Sequence, residues 1–178
     1  MLFCIIGPSG VGKTTLADNL AERGLKSVQS YTTRKPRYPE ERGHTFISAN
    51  EFEKINKQKG MVSLTYFDNN YYGVTKDMLL ESDIFVVDLQ GIRKLKENNI
   101  PIFTIGLFAD KAVLTERMAD RGDSAEEINS RIENDKNAFK NYNSVCNVMV
   151  NTQMSPKTVS DIVFEIIKTI RNKYTERI

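Results

Sequence analysis

The chain has 178 residues, 40% hydrophobic and 27% charged, enough to bury the core of one domain. A formal charge of +2 is too mild to mark a nucleic-acid surface, and Cys4 and Cys146 offer neither a disulfide framework nor metal-ligand spacing. The single histidine, His44, has no evident nucleophile partner, and no stretch approaches the roughly 20 apolar residues of a membrane span, so a triad hydrolase and a membrane protein are both excluded and the cytoplasm is expected.

In chain order, Leu2 to Ile6 is a continuous apolar run cut off by Gly-Pro, which predicts a strand buried on both faces. Thr14 to Arg23 follows as a helix with Leu16 and Leu20 inward and Gly24 as its stop. The stretch from about 30 to 76 breaks the rhythm. "YTTRKPRYPEERG" is polar, basic and proline-containing, hence a loop, whereas "HTFIS", "MVSLTYF" and "YYGVT" predict short antiparallel strands, the last two joined across Asp68-Asn69-Asn70. Ser48 to Glu51 spells a capping box opening a short helix through Lys57. Buried strands are then expected at Ile84–Asp88, Ile102–Phe108 and Asn147–Val150, each followed by a helix. The last helix carries an apolar stripe of Val159, Ile162, Val163, Ile166, Ile167 and Ile170. Strands separated by crossover helices make an α/β domain whose mainly parallel sheet is covered on both faces, with a small lobe inserted at 30–76.

Gly7-x-x-x-x-Gly12-Lys13-Thr14 stands between that first strand and first helix, the setting a phosphate-binding loop requires. Ser9, Gly10, Val11, Gly12, Lys13, Thr14 and Thr15 can turn backbone N–H groups toward phosphates at the positive end of the helix. The Lys13 ammonium would neutralise β- and γ-phosphates of ATP, and the Thr14 hydroxyl would hold Mg²⁺. Asp88, at the end of a parallel strand, either faces the ligand crevice or caps the next helix. Three basic features ask for a second anion: Arg34, Lys35 and Arg37 on the loop after Ser30, Arg117 and Arg121 four apart on one helix, and Arg131 on the next.

Taken together, "GPSGVGKTT", "SYTTRKPR" with "ERG" after it, "FIS" before "EFEKI", "YYGVT", "VVDLQG" and "LTERMADRG" leading to "INSRI" resemble the guanylate kinase family over nearly the whole chain. Only the first two are specific singly; their order and separations carry the likeness. The resemblance implies a P-loop NTPase-type fold with a core at 1–29 and 77–178, a nucleoside monophosphate lobe at about 30–76, and a helical lid at about 115–135. It implies transfer of phosphate from ATP to a nucleoside monophosphate, GMP or dGMP by default, with nucleotides as the partners. By the family pattern Ser30, Arg34 and Arg37 grip the acceptor's phosphate and Tyr72 helps hold that nucleotide. Arg117, Arg121 and Arg131 would close over the phosphoryl in flight, and Asn151 would lie near the adenine.

The chain departs from the pattern at the acceptor's base. Ser63 stands where the family has the glutamate that reads guanine, Val74 where it has a small hydroxyl, and Val86 replaces the first of two aspartates, leaving Asp88. Gly43-His44-Thr45-Phe46 is two residues shorter than the family's Gly-x-Asp-Tyr-x-Phe, so that His44 or Tyr38 is left to stand in for the tyrosine. The acceptor therefore stays open between GMP, another monophosphate and a sugar phosphate such as ribose 1,5-bisphosphate. A non-catalytic binding module is disfavoured by Lys13 and the lid arginines, and a GTPase by the lack of an Asn-Lys-x-Asp motif.

Overall fold

The computed structural model describes residues 1–36, 39–67 and 69–175. Arg37 and Tyr38, both named above, lie outside them, as does Asp68 of the expected hairpin turn. Strand β1 (Leu2–Ile6) is buried along its whole length because it is an inner strand of a four-stranded parallel sheet. Its neighbours are β6 (Ile84–Val86) on one side and β7 (Ile102–Phe108) on the other, with β8 (Val148–Asn151) beyond.

The two-residue period of β1 divides the core. Phe3 and Ile5 pack with Leu16 and Leu20 of helix α1 (Lys13–Glu22) and with Val159, Val163 and Ile167 of α7 (Pro156–Thr175). Leu2, Cys4 and Ile6 pack on the other face with Leu79 of α3 (Lys76–Leu80) and Ile92 and Leu95 of α4 (Leu89–Glu97). Burial of each large aliphatic side chain contributes about 1.5–3 kcal/mol, so both helical layers are required to hold the strand flat between them. The α7 stripe is deepest at Val159, Val163 and Ile167, while Ile162 reaches the surface.

Residues 30–74 build a second sheet, with order β3-β2-β5-β4. It comprises β2 (Ser30–Thr32), β3 (His44–Phe46), β4 (Ser63–Phe67) and β5 (Asn70–Val74). The β4–β5 hairpin is antiparallel, as the pattern predicts. Two expectations are corrected. The start of the basic loop is strand β2, and "HTF" pairs with it in parallel, not antiparallel. The connection at 33–43 is long enough to carry the chain back to the same end of the sheet, which a tight turn cannot do. Helix α2 (Ala49–Lys59) opens on the expected capping box: Ser48 Oγ accepts from Glu51 N–H, and the Glu51 carboxylate accepts from Ser48 N–H. It buries Phe52 beside the ring of Tyr71, centroids 5.5 Å apart. Past β7, helices α5 (Lys111–Asp120) and α6 (Ala125–Ala138) cover the segment expected as a lid, and a 3-10 turn (Tyr142–Val145) leads into β8.

Candidate functional site

The β1–α1 turn has the conformation its glycines allow. Gly10 adopts φ 75°, and a Cβ there would meet the Leu114 carbonyl oxygen at 2.7 Å. Gly12, at φ 94°, has open space around it, so its requirement is the left-handed backbone itself. Lys13 Nζ folds over the loop and donates to the carbonyl oxygens of Gly7 at 2.7 Å and Pro8 at 2.9 Å. Burial of that ammonium pushes it down to about 8; Asp135 opposes the shift and Arg121 adds to it. The Asp135 carboxylate, on α6, accepts from the Ser9 N–H at 2.6 Å. Thr14 and Thr15 are exposed at the start of α1, and Val11 is buried beneath the loop.

The lid arginines do not act as one cluster here. Arg121 pairs with Asp123, and Arg131 Nε lies 3.5 Å from the same carboxylate. Arg117, four residues before Arg121, donates to the hydroxyl of Thr152 at 3.1 Å and to its carbonyl oxygen at 2.5 Å. That tethers α5 to the residue following Asn151. The Asn151 side chain is exposed and accepts from the Gln153 N–H at 2.8 Å.

A cavity of about 240 Å³ lies between the two sheets. Ser30, Ser63, Tyr72, Val74 and Asp88, all assigned to the acceptor from sequence, line it together with His44 and Thr65. Asp88 Oδ1 accepts from the Gly91 N–H at 2.7 Å, the anticipated cap of α4, and the residue also forms part of the cavity wall. That cap is why β6 ends at Val86, two residues short of the expected strand end. Ser63 and Val74 are opposite one another across the β4–β5 pair and both are buried.

Arg34 stands one layer back from this cavity. It makes a two-pronged bond to Glu41, at 2.7 and 3.1 Å, donates to the Lys35 carbonyl oxygen at 2.7 Å, and lies over the ring of Phe46. The hydrogen bond to Glu41 strengthens its hold on its proton despite burial. Sequence reading passed over Glu41, Thr65, Asp135 and Thr152. Glu41, beside Glu40 in a stretch otherwise rich in basic residues and proline, gave a signal there; the others acquire their place by packing between distant segments.

The geometry is that of a P-loop phosphotransferase: a phosphate loop after one parallel strand, and a pocket after the strand beside it. The guanylate kinase family model matches residues 1–168. A guanylate kinase of Rickettsia prowazekii is 31% identical over 92% of this chain and 90% of its own length. Another, of Fusobacterium nucleatum, is 32% identical over 86% of this chain and 89% of its own. The crystal structure of guanylate kinase from Anaplasma phagocytophilum superposes with a TM-score of 0.68 at 18% identity, covering 95% of this chain and 85% of that one, a likeness of fold. The chain belongs to the guanylate kinase family, and with it to the nucleoside monophosphate kinases that use ATP as co-substrate. Among the described residues no helix is long and apolar enough to cross a membrane.

Proposed function

We propose that this protein transfers the γ-phosphoryl group of ATP to a nucleoside monophosphate, GMP or dGMP, giving ADP and the nucleoside diphosphate, and that it does so in the cytoplasm. The observation that carries the reading is the adjacency of two strand ends. β1 and β6 are paired in parallel, with Ile5 opposite Val86 and the Val87 N–H bonded to the Ile5 carbonyl oxygen at 3.1 Å. The phosphate loop leaves the end of β1 and the cavity lies at the end of β6, so donor and acceptor sites open side by side. Ligands of parallel α/β sheets bind at this edge, outside the carboxyl ends of the strands.

In this reading the loop amides of residues 9–15 take the donor phosphates, and Lys13 exchanges its two carbonyl bonds for phosphate oxygens. Arg121 and Arg131 turn from Asp123 toward the transferring group, where their charge stabilises a transition state spread over the equatorial oxygens. Arg117 stays with Thr152 and Asn151 at the adenine side. On the acceptor side, the phosphate lies at Ser30 within reach of Arg34 and Arg37, Tyr72 packs on the nucleotide, and the base enters among Ser63, Val74 and Asp88. No general base is needed, because positioning and charge do most of the work in phosphoryl transfer.

A bound Mg²⁺ would supply charge neutralisation to the donor phosphates. Among the described residues no group of three or more His, Cys, Asp or Glu side chains could hold a metal. The donor set fits a magnesium ion carried mainly by phosphate and water, with the exposed Thr14 hydroxyl as the protein's ligand.

The test is a coupled assay of ADP formation at neutral pH with Mg²⁺, ATP and, in turn, GMP, dGMP, AMP, CMP, UMP, dTMP and ribose 1,5-bisphosphate. GMP or dGMP should be preferred. Turnover only with the sugar phosphate would reassign the acceptor, and no ADP with any of them would overturn the proposal.

A further inference from the structure

The cavity assigned to the acceptor has an uneven charge. Of the described residues lining it, His44, Tyr72 and Asp88 carry titratable side chains. The Asp88 carboxylate lies two residues past β6, the edge strand of the parallel sheet. An entering phosphomonoester is repelled from that wall. Among the described lining residues, His44, on β3 of the second sheet, is the side chain that can become a cation, and the reference pKa of histidine lies in the physiological range.

His44 is held in place on two sides. Its Nδ1 is 2.7 Å from Ser30 Oγ, and its ring meets the edges of Phe46 and Tyr72 at centroid distances of 6.0 and 5.7 Å. Ser30 is buried, 8% exposed, and lines the same cavity. A serine hydroxyl has a single hydrogen to donate. If His44 Nδ1 is bare, that hydrogen is directed at the ring. If Nδ1 carries a proton, the ring donates to Oγ, and the hydroxyl hydrogen turns outward to a phosphate oxygen.

Resting on the acceptor reading above, we propose that His44 is the acceptor-phosphate sensor of this enzyme: bound as imidazolium, it supplies positive charge to the phosphate end of the cavity and orients the Ser30 hydroxyl toward it, so that acceptor binding takes up a proton. The charged and titratable neighbours set the same polarity. Tyr72 faces the ring from β5, Asp88 lies across the cavity, and Arg34 stands behind Phe46 with its charge engaged by Glu41. Arg34 and the imidazolium thus lie on one side of the cavity and the carboxylate of Asp88 on the other, which orients the nucleotide phosphate to β3 and base to Ser63.

The sign of the pH dependence follows. A dianionic phosphate favours the protonated ring, so affinity is greatest below the free histidine's pKa and is lost as pH rises through it. The phosphate's own second ionisation, near pH 6, lies below that window. Calorimetric titration of the full-length protein with GMP at pH 7.5, in two buffers of different ionisation enthalpy, should show net proton uptake, and His44→Gln should show none. The KM for GMP should rise from pH 6.5 to 8.5 in the unmodified enzyme. In His44→Gln it should be about tenfold higher at pH 6.5 and flat with pH, while kcat changes less. His44→Asn, whose amide can still meet Ser30 Oγ, should behave in the same way if both variants melt cooperatively. Binding of GMP without proton uptake, or an unchanged KM in both variants, overturns this assignment and leaves the kinase reading standing. Absence of phosphoryl transfer to any acceptor of the panel by the unmodified enzyme overturns the kinase reading instead.

Discussion

Two cations at the site owe their state to their surroundings. Lys13 is pushed down to about 8 by burial, so its charge is present below that pH and lost above it. The kcat/KM for ATP, which reports the free enzyme, should therefore fall as pH rises through about 8; kcat at saturating ATP should persist to higher pH, because bound phosphates hold the proton on. A pH profile of both parameters checks this. Lys13→Met should cost at least about 100-fold in kcat with folding unaffected. Arg34 is different: its guanidinium is mostly buried, 13% exposed, and braced by Glu41 at 7%. Glu41→Gln leaves that charge under-compensated. The expected outcome is a stability loss of about 1–3 kcal/mol in urea unfolding, together with a raised acceptor KM.

At the level of elements, helix starts are set locally and strand burial is not. The Ser-x-x-Glu box read at Ser48 recurs at Ser124, where Oγ accepts from the Glu127 N–H at 3.2 Å and the Glu127 carboxylate accepts from the Ser124 N–H at 2.8 Å. That cap fixes where α6 begins, and through it the placement of Arg131 and Asp135 one turn apart on the helix. Ser124→Ala should cost about 1 kcal/mol by thermal unfolding and raise the KM for ATP more than that for the acceptor. β1 makes the opposite case: Ile5 is fully buried between α1 and α7. Ile5→Ala should cost about 2–5 kcal/mol, measured by denaturant titration, since the sheet cannot collapse onto the void.

For the molecule as a whole, the paired state of the lid arginines is informative. Arg121 and Arg131 meet on Asp123, and Asp135 of the same helix rests on the phosphate loop. In the proposed reaction both arginines act at the phosphoryl group, so the α5–α6 segment is expected to shift when substrates bind and the lobe of residues 30–74 to approach it. Closure of this kind excludes water and suppresses wasteful hydrolysis of ATP. Small-angle scattering should show a smaller radius of gyration with a bisubstrate analogue than without; identical curves would rule closure out.

Sequence alone determined the features that depend on neighbours along the chain. The phosphate loop, the buried strand before it, the capping box at Ser48, the β4–β5 hairpin and the α7 stripe are all signalled within a dozen residues, because glycine conformation, capping and side-chain period act at that range. Only the tertiary structure decided which distant residues share a site. It placed Ser30, His44, Ser63, Tyr72, Val74 and Asp88 around one cavity, sent Arg117 to Thr152 away from Arg121, set β3 parallel to β2, and brought Asp135 across 126 positions to the Ser9 amide. Those contacts come from how two sheets and their helices pack against each other, and a local pattern carries no record of its packing partner.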